Sequence, residues 1–278
     1  MRVPNVLSIA GTDPTGGAGA QADIKSISAA GGYAMSVVTA LVAQNTQGVR
    51  EVHVPPMRFL RAQLDAVSDD VRIDAIKVVM LGSAEIIETV AAWLREQPAV
   101  PVVVDPVMIA TSGHRLLDAS AEEALKVFLR VASVLTPNIP ELAAIAGTDV
   151  PRTWEEACAV AQAVAADYDV AVVVKGGHLT DTDAGNALVT AAGVQEHWTV
   201  RRIATKNTHG TGCSLSAALA TRLAAGDSLT QALDWTTAWL ADAIAAAADN
   251  SMLDVGHGHG PIHHFHQLWA KAGLYAER

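Results

Sequence analysis

Cysteine is scarce in this 278-residue chain: only Cys158 and Cys213 occur, too few for a disulfide framework. That scarcity fits a reducing compartment, so a cytoplasmic protein is expected. Long apolar runs are also missing. The stretch that follows Asn5 ends at Gly11, too short for the core of a signal peptide, and the alanine-rich run from Leu240 to Ala248 is interrupted by Asp242. No membrane span is expected. Basic residues are the minority, with 19 Lys and Arg against 29 Asp and Glu and a formal charge of −10. That balance argues against nonspecific binding to nucleic acid or an anionic membrane, yet leaves a local phosphate site open. Apolar material, by contrast, is plentiful: 50% of the residues are hydrophobic and 17% charged, enough to bury a large core. With no long linker, low-complexity tract or internal repeat, one domain over residues 1–278 is the economical reading.

Short β-branched runs alternate with amphipathic helical stretches, the pattern of a mainly parallel sheet covered on both faces. The fold class expected is therefore α/β, a three-layer α/β/α Rossmann-like arrangement. Expected strands are Val6–Ala10, Ser36–Val42, Val49–Val54, Ala75–Val79, Val102–Asp105, Val134–Thr136 and Val170–Lys175, with Asn186–Val189 and Glu196–Val200 as a hairpin or edge addition. Ser120 with Glu123, Thr153 with Glu156 and Ser228 with Gln231 each fit a capping box ahead of a periodic apolar run. Met57–Asp69, Ala84–Glu96 and Ile139–Ile145 are further expected helices. Trp235 and Trp239, one helical turn apart, read as core.

Sheets of this kind bind ligands at the carboxyl ends of their strands. Polar and glycine residues gather there: Gly11-Thr12-Asp13, Gln44-Asn45, Met80-Leu81-Gly82, Asp105-Pro106, Thr136-Pro137-Asn138 and Lys175-Gly176-Gly177. A single cleft along one sheet edge follows. The Gly17-x-Gly19-x-x-Ala22 spacing imitates a dinucleotide fingerprint, but no Asp or Glu lies between Asp23 and Glu51 to hold a ribose. A Walker A loop is excluded too, because Gly17 stands where it needs a lysine. Locally the glycine stretch reads equally as a flexible turn before a helix and as a substrate-binding loop.

The most informative segment is Asn207-Thr208-His209-Gly210-Thr211-Gly212-Cys213, ahead of an alanine-rich helix expected to begin near Ser214. Glycines there let backbone N–H groups converge, and the helix start adds unpaired donors and the positive end of its dipole. Such a terminus binds phosphate, which points to a phosphotransferase. Lys175, leaving an apolar strand, is placed to meet a transferring phosphate, although a solvated lysine reads equally well. Asn138 and Glu141 could organise hydrated Mg²⁺, or serve as ordinary helix-start residues. The histidines of 257–266 suggest either a metal site or a closure packed on the domain; interrupting glycines and Pro261 favour the closure.

Taken together these motifs resemble the ribokinase-type small-molecule kinases: the 207–213 segment, Asn138-x-x-Glu141, Asp105-Pro106-Val107-Met108 and Lys175-Gly176-Gly177-His178. Gly11-Thr12-Asp13-Pro14-Thr15-Gly16-Gly17-Ala18-Gly19 with Gln21-Ala22-Asp23, then Gln44-Asn45-Thr46-Gln47-Gly48 and Gly256-His257-Gly258-His259-Gly260-Pro261, are similar to one branch. That branch is the hydroxymethylpyrimidine/phosphomethylpyrimidine kinases of thiamine biosynthesis. The resemblance implies a ribokinase-like fold and two successive ATP-dependent phosphorylations of 4-amino-5-hydroxymethyl-2-methylpyrimidine. It implies Gly11, Asp23, Gln44, Met80 and Cys213 at the pyrimidine, and Asp105, Asn138, Glu141, Lys175 and Thr208 facing ATP. Mg²⁺ is expected near Asp105 and Glu141, partly through water, with the amides of Gly210 and Gly212 stabilising transferred charge beside Lys175. Sugar-kinase relatives carry aspartate at the position of Cys213, so a base role is favoured over that of a small cleft-lining residue, its pKa lowered by the helix start and pushed the other way by adjacent phosphates. The flap expected at Met108–His114 departs from the branch, with His114 and Arg115 where relatives commonly carry an acid. Homodimers are common in that family. Competing readings are a pyridoxal kinase, a ligand sensor without turnover and, least favoured, a nicotinamide dehydrogenase.

Overall fold

A computed structural model describes residues 2–108, 121–178, 185–248 and 253–274. Among these, β1 (Asn5–Gly11), β2 (Tyr33–Asn45), β3 (Gly48–His53), β4 (Ala75–Val79), β5 (Val102–Asp105), β6 (Val134–Leu135), β7 (Ala171–Lys175), β8 (Asn186–Thr190) and β9 (Gly193–Trp198) form a nine-stranded sheet. Its order is β3-β2-β1-β4-β5-β6-β7-β8-β9. Strands β2 to β7 in that order run parallel, while β3 at one edge and β8 and β9 at the other pair antiparallel. The expected mixed α/β sheet is what forms, with the polar hairpin as an edge addition.

The helices are α1 (Gly19–Ala29), α2 (Met57–Ser68), α3 (Ala84–Leu94), α4 (Glu122–Phe128), α5 (Ile139–Ala146), α6 (Trp154–Tyr168), α7 (Thr211–Ala224), α8 (Leu229–Ala245) and α9 (His266–Lys271). Capping boxes start α5, α6 and α8, with the side chains of Asn138, Thr153 and Ser228 each accepting from the N–H three residues on. The serine of the box expected at Ser120 lies outside the described residues, and α4 starts from Ala121 without a side-chain cap. Helix α7 begins at Thr211, earlier than its apolar run suggests, so Gly212 and Cys213 lie in its first turn. The short α9 was not foreseen.

Strand alternation divides the core. Leu7, Ile9, Ile76, Val78, Val104, Val172 and Val174 pack under α2 to α6. On the opposite face, Val6, Ala75, Val103, Val134 and Val173 meet Ile27 of α1 and Ala217, Leu219, Ala220 and Leu233 of α7 and α8. Each of these opposite-face strands then turns polar two residues later, with Ser8, Lys77, Asp105, Thr136 and Lys175. Because side chains alternate with a period of two, these five share the face covered by α1 and α7, near the carboxyl ends of their strands. Small residues on α7 (Ser214, Ser216, Ala217, Ala218, Ala220, all buried) let it lie close over that polar row. Trp239 is buried as expected; Trp235 is half-buried and stacks on it, ring centroids 5.8 Å apart.

Candidate active site

The polar row carries two ion pairs. Lys175 Nζ lies 3.2 Å from Asp105 Oδ1, with Asp105 buried and the lysine side chain 15% exposed. Burial alone would lower the lysine's pKa, but the carboxylates of Asp105 and Glu141 outweigh it and hold the ammonium above its usual range. The start of α7 faces this pair. A Cβ built on Gly212 would stand 3.2 Å from Lys175 Nζ and 3.4 Å from Asp105 Oδ2, so the bare backbone leaves room directly beside both charges. Gly210, the N-cap, has φ 76°, the left-handed region that glycine tolerates, and a Cβ there would fall on the carbonyl oxygen of Gly17. The structure thus brings Lys175, Asp105, Gly210 and Gly212 together at a helix N-terminus, a geometry suited to an anion.

Glu141 is buried, and burial pushes its carboxyl up to about 7 against the pull of Lys175. Its Oε2 accepts from the Asn138 N–H at 2.8 Å, while Asn138 Oδ1 accepts from the Glu141 N–H at 2.8 Å. The helix-start reading of this pair is therefore realised, and its proximity to Lys175 and Asp105 leaves the second role open to it. Thr208 is half-buried just ahead of α7, its carbonyl accepting from Thr211 N–H at 3.4 Å. Thr136 is fully buried between the strands of Asp105 and Lys175, and its hydroxyl has no hydrogen-bond partner. Among the described residues no three His, Cys, Asp or Glu side chains come together as a cage for a metal. The histidine tail packs on the domain: His264 Nε2 sits 3.0 Å from Ser214 Oγ, and Gly258 and His259 donate backbone N–H groups to Thr46 at 3.1 and 3.0 Å.

On the other side of α7's mouth, Cys213 is half-buried in a small apolar cluster with Met80, Val107, Ala10, Ala20 and Val79. Met80 has φ 58°, a strained left-handed backbone for a non-glycine residue, and its thioether lies against Gly11 so closely that a Cβ there would collide with the sulfur. Gly11, Met80 and Cys213 therefore meet. The thiol behaves otherwise than its place at a helix start suggests. Burial pushes it up to about 11, outweighing Lys77 and the N–H of Gly19, so at neutral pH it is a thiol and not a thiolate.

The resemblance implies Asp23 at the pyrimidine. It is fully buried beneath this cluster, with both carboxylate oxygens 2.8 Å from Lys77 Nζ and Oδ2 accepting from Ser8 Oγ at 2.5 Å. Its bonds run to Lys77, also fully buried, and to Ser8, and it lies near enough to Cys213 for its charge to push the thiol's pKa up. The attraction of Asp23 outweighs burial and keeps Lys77 charged. Sequence reasoning missed Lys77, although a lone lysine within Ala75-Ile76-Lys77-Val78-Val79 is a legible signal. Gln44, half-buried at the end of β2, reaches Asp13, a second residue that sequence reasoning passed over. The flap residues Ile109–His114, with Arg115, lie outside the described residues.

Comparison with known proteins places the chain's fold and sequence among relatives. A family profile described as phosphomethylpyrimidine kinase matches residues 13–263. The chain is 56% identical over 263 residues to the thiamine biosynthesis multifunctional protein ThiED of Corynebacterium glutamicum, covering 95% of this chain but spanning only 34% of that relative's length. It is 48% identical over 270 residues to the hydroxymethylpyrimidine/phosphomethylpyrimidine kinase of Salmonella typhimurium, covering 97% of this chain and all of the relative. Among solved structures it superimposes with a TM-score of 0.86 on an ADP complex of pyridoxal kinase from Bacillus subtilis, at 30% identity and covering 96% and 99% of the two chains. The architecture is therefore the ribokinase-like one that the motifs implied.

Proposed function

The chain belongs to the phosphomethylpyrimidine kinase family, and on that premise we propose that it phosphorylates 4-amino-5-hydroxymethyl-2-methylpyrimidine with ATP and then extends the monophosphate to the diphosphate, for thiamine biosynthesis. The observation that carries this reading is the open space at Gly212, bounded by an ammonium, a carboxylate and the amides of a helix start. The hydroxymethyl oxygen attacks the γ-phosphorus, the bond to the bridging oxygen breaks, and ADP departs. Lys175 and the Gly210–Gly212 amides meet the charge on the transferred group. Asp105, Asn138, Glu141 and Thr208 face the nucleotide. Mg²⁺ prefers a carboxylate or two with waters and phosphates over a full protein cage, and Asp105 with Glu141 suits that donor set. When bound, the ion would neutralise phosphate charge.

Gly11, Asp23, Gln44, Met80 and Cys213 line the pyrimidine side, the Asp23 carboxylate being held by Lys77 and Ser8. The Cys213 thiolate accepts the hydroxyl proton; because burial keeps that form scarce, turnover should climb as pH rises toward about 11. A loose transition state asks little of a base, so scarcity is compatible with catalysis. Cys213→Ala is expected to lose about 10²-fold in turnover while ATP affinity changes little. Near-normal turnover in that variant would remove the base role.

A pyridoxal kinase is the second reading, favoured by the fold likeness to the Bacillus subtilis enzyme. Identity of 48% to a pyrimidine kinase against 30% to that enzyme puts the pyrimidine first. ADP release measured in parallel with the two alcohols, with products identified by mass, separates them; no ADP from either would leave a ligand sensor. No helix among the described residues is long and apolar enough to cross a membrane. A single domain, a cytoplasmic location and a homodimer complete the reading, the last tested by the mass in solution.

A further inference from the structure

The glycine stretch 16–19, which sequence left between a flexible turn and a substrate loop, is tied down by one carboxylate. Asp13 is fully buried at the end of β1. Its Oδ1 accepts from the N–H and Oγ1 of Thr15 at 2.9 and 2.8 Å. Its Oδ2 accepts from the N–H groups of Gly17 and Ala18 at 3.1 and 2.8 Å, and from His209 Nε2 at 2.8 Å. A carboxylate only accepts, so the imidazole proton on that bond belongs to Nε2. Burial would raise the Asp13 carboxyl, but the bonds from His209, Gln44 and Thr15 outweigh it and hold it well below the usual range. The charged form is thus present at any working pH.

His209 immediately precedes Gly210, and its own N–H donates to Gly260 of the tail at 3.0 Å. Loop and helix mouth interlock further. A Cβ on Gly17 would lie 2.5 Å from the His209 ring, and one on Gly210 would run into Gly17 O. Beyond the cradle, the N–H of Gly19 reaches the Cys213 thiol. The loop therefore grips the 210–212 segment on both sides, at His209 and at Cys213, from a strand 196 residues distant in sequence.

We infer that Asp13, acting through His209, is the positioning residue that fixes the amide cradle of α7 against the pyrimidine side of the cleft. Neither side chain need touch the reacting atoms; their task is the register between the group that attacks and the amides that receive the charge. The inference rests on the kinase reading proposed above and adds two residues to it. A displacement of about 1 Å in such a cradle costs on the order of 10²-fold in rate while weakening ground-state binding much less.

The test compares His209→Ala, His209→Gln, Asp13→Asn and the double variant Asp13→Asn/His209→Ala, using full-length protein, Mg-ATP and the pyrimidine alcohol. His209→Ala should lower kcat by about 10- to 100-fold with KM for ATP nearly unchanged and melting temperature preserved. His209→Gln, which keeps a donor at similar reach, should recover most of that loss. The double variant should be no slower than the slower single one, because both remove one linkage. Unaltered kcat in His209→Ala, failure of glutamine to rescue, or losses that multiply would each overturn the inference. If Asp13→Asn does not fold, the alanine and glutamine pair at His209 decides alone. Absence of turnover in the wild type would instead reject the kinase reading, so the two failures are told apart.

Discussion

Two lysine–aspartate pairs stand on one face of the same sheet, and they differ mainly in access to solvent. Lys77 and Asp23 are fully buried, doubly bonded at 2.8 Å and joined by Ser8. Lys175 and Asp105 make one longer contact of 3.2 Å, and the lysine is 15% exposed toward the bare backbone of Gly212. The sealed pair directs most of its hydrogen bonds inward, to itself and to Ser8. The open pair has an ammonium with donors to spare, at the place where an anion would arrive. Identical chemistry thus supports packing at one point and is available for catalysis a few strands away, and the difference is made by what covers each pair.

The sharpest way to break this comparison is to remove the two lysines in turn. Lys175→Met should lower kcat by about 10²- to 10³-fold with a smaller fall in melting temperature than Lys77→Met, because its contact with the buried Asp105 is single and longer and the lysine is partly exposed, read from steady-state kinetics beside a thermal scan. Lys77→Met should do the reverse in kind, costing about 3–5 kcal/mol of stability because it strands the Asp23 charge in the interior. Denaturant unfolding measures that loss, and Lys77→Met/Asp23→Leu should regain much of it by removing both charges. Equal stability losses at Lys77 and Lys175 would erase the distinction.

A smaller effect comes from the tail. His264 is 4% exposed and burial pushes it down to about 3, and burial lowers His263 as well. In the unfolded chain both charge below about 6.5. Between pH 6.5 and 3 these two histidines therefore bind more protons in the unfolded state, and their contribution to stability falls as pH drops through that window, while Glu141, raised to about 7, contributes in the opposite sense. His264 alone should contribute about 1.4 kcal/mol per pH unit. His264→Asn should flatten the slope measured by urea unfolding between pH 7 and roughly 5.

Strand positions were legible because apolar alternation is a local property. Ala75–Val79 and Val102–Asp105 came out with the ends that periodicity assigned them, and the capping boxes at Thr153 and Ser228 are present as spaced. Lys175, Asp105, Gly210 and Gly212 were legible as a group because they fall at strand ends or at a helix start, where the fold class itself places ligands. The burial of Asp23 and its pairing with Lys77 were not legible for one reason: whether a carboxylate meets a buried ammonium depends on how α1 packs on the sheet, which neither segment encodes alone. The protonation of Cys213 was likewise beyond local reading. A helix start lowers a thiol's pKa, but enclosure by Ala10, Ala20, Val79 and Met80 raises it further.

By itself the sequence determined the α/β alternation, the edge along which polar groups gather and the helix mouth suited to phosphate, since each follows from patterns within a few residues. Tertiary structure alone decided which charges are sealed and which stay open, and that Asp13 holds His209 from the far end of the chain. Desolvation and pairing are properties of neighbours in space, and those neighbours are assigned only when the helices close over the sheet.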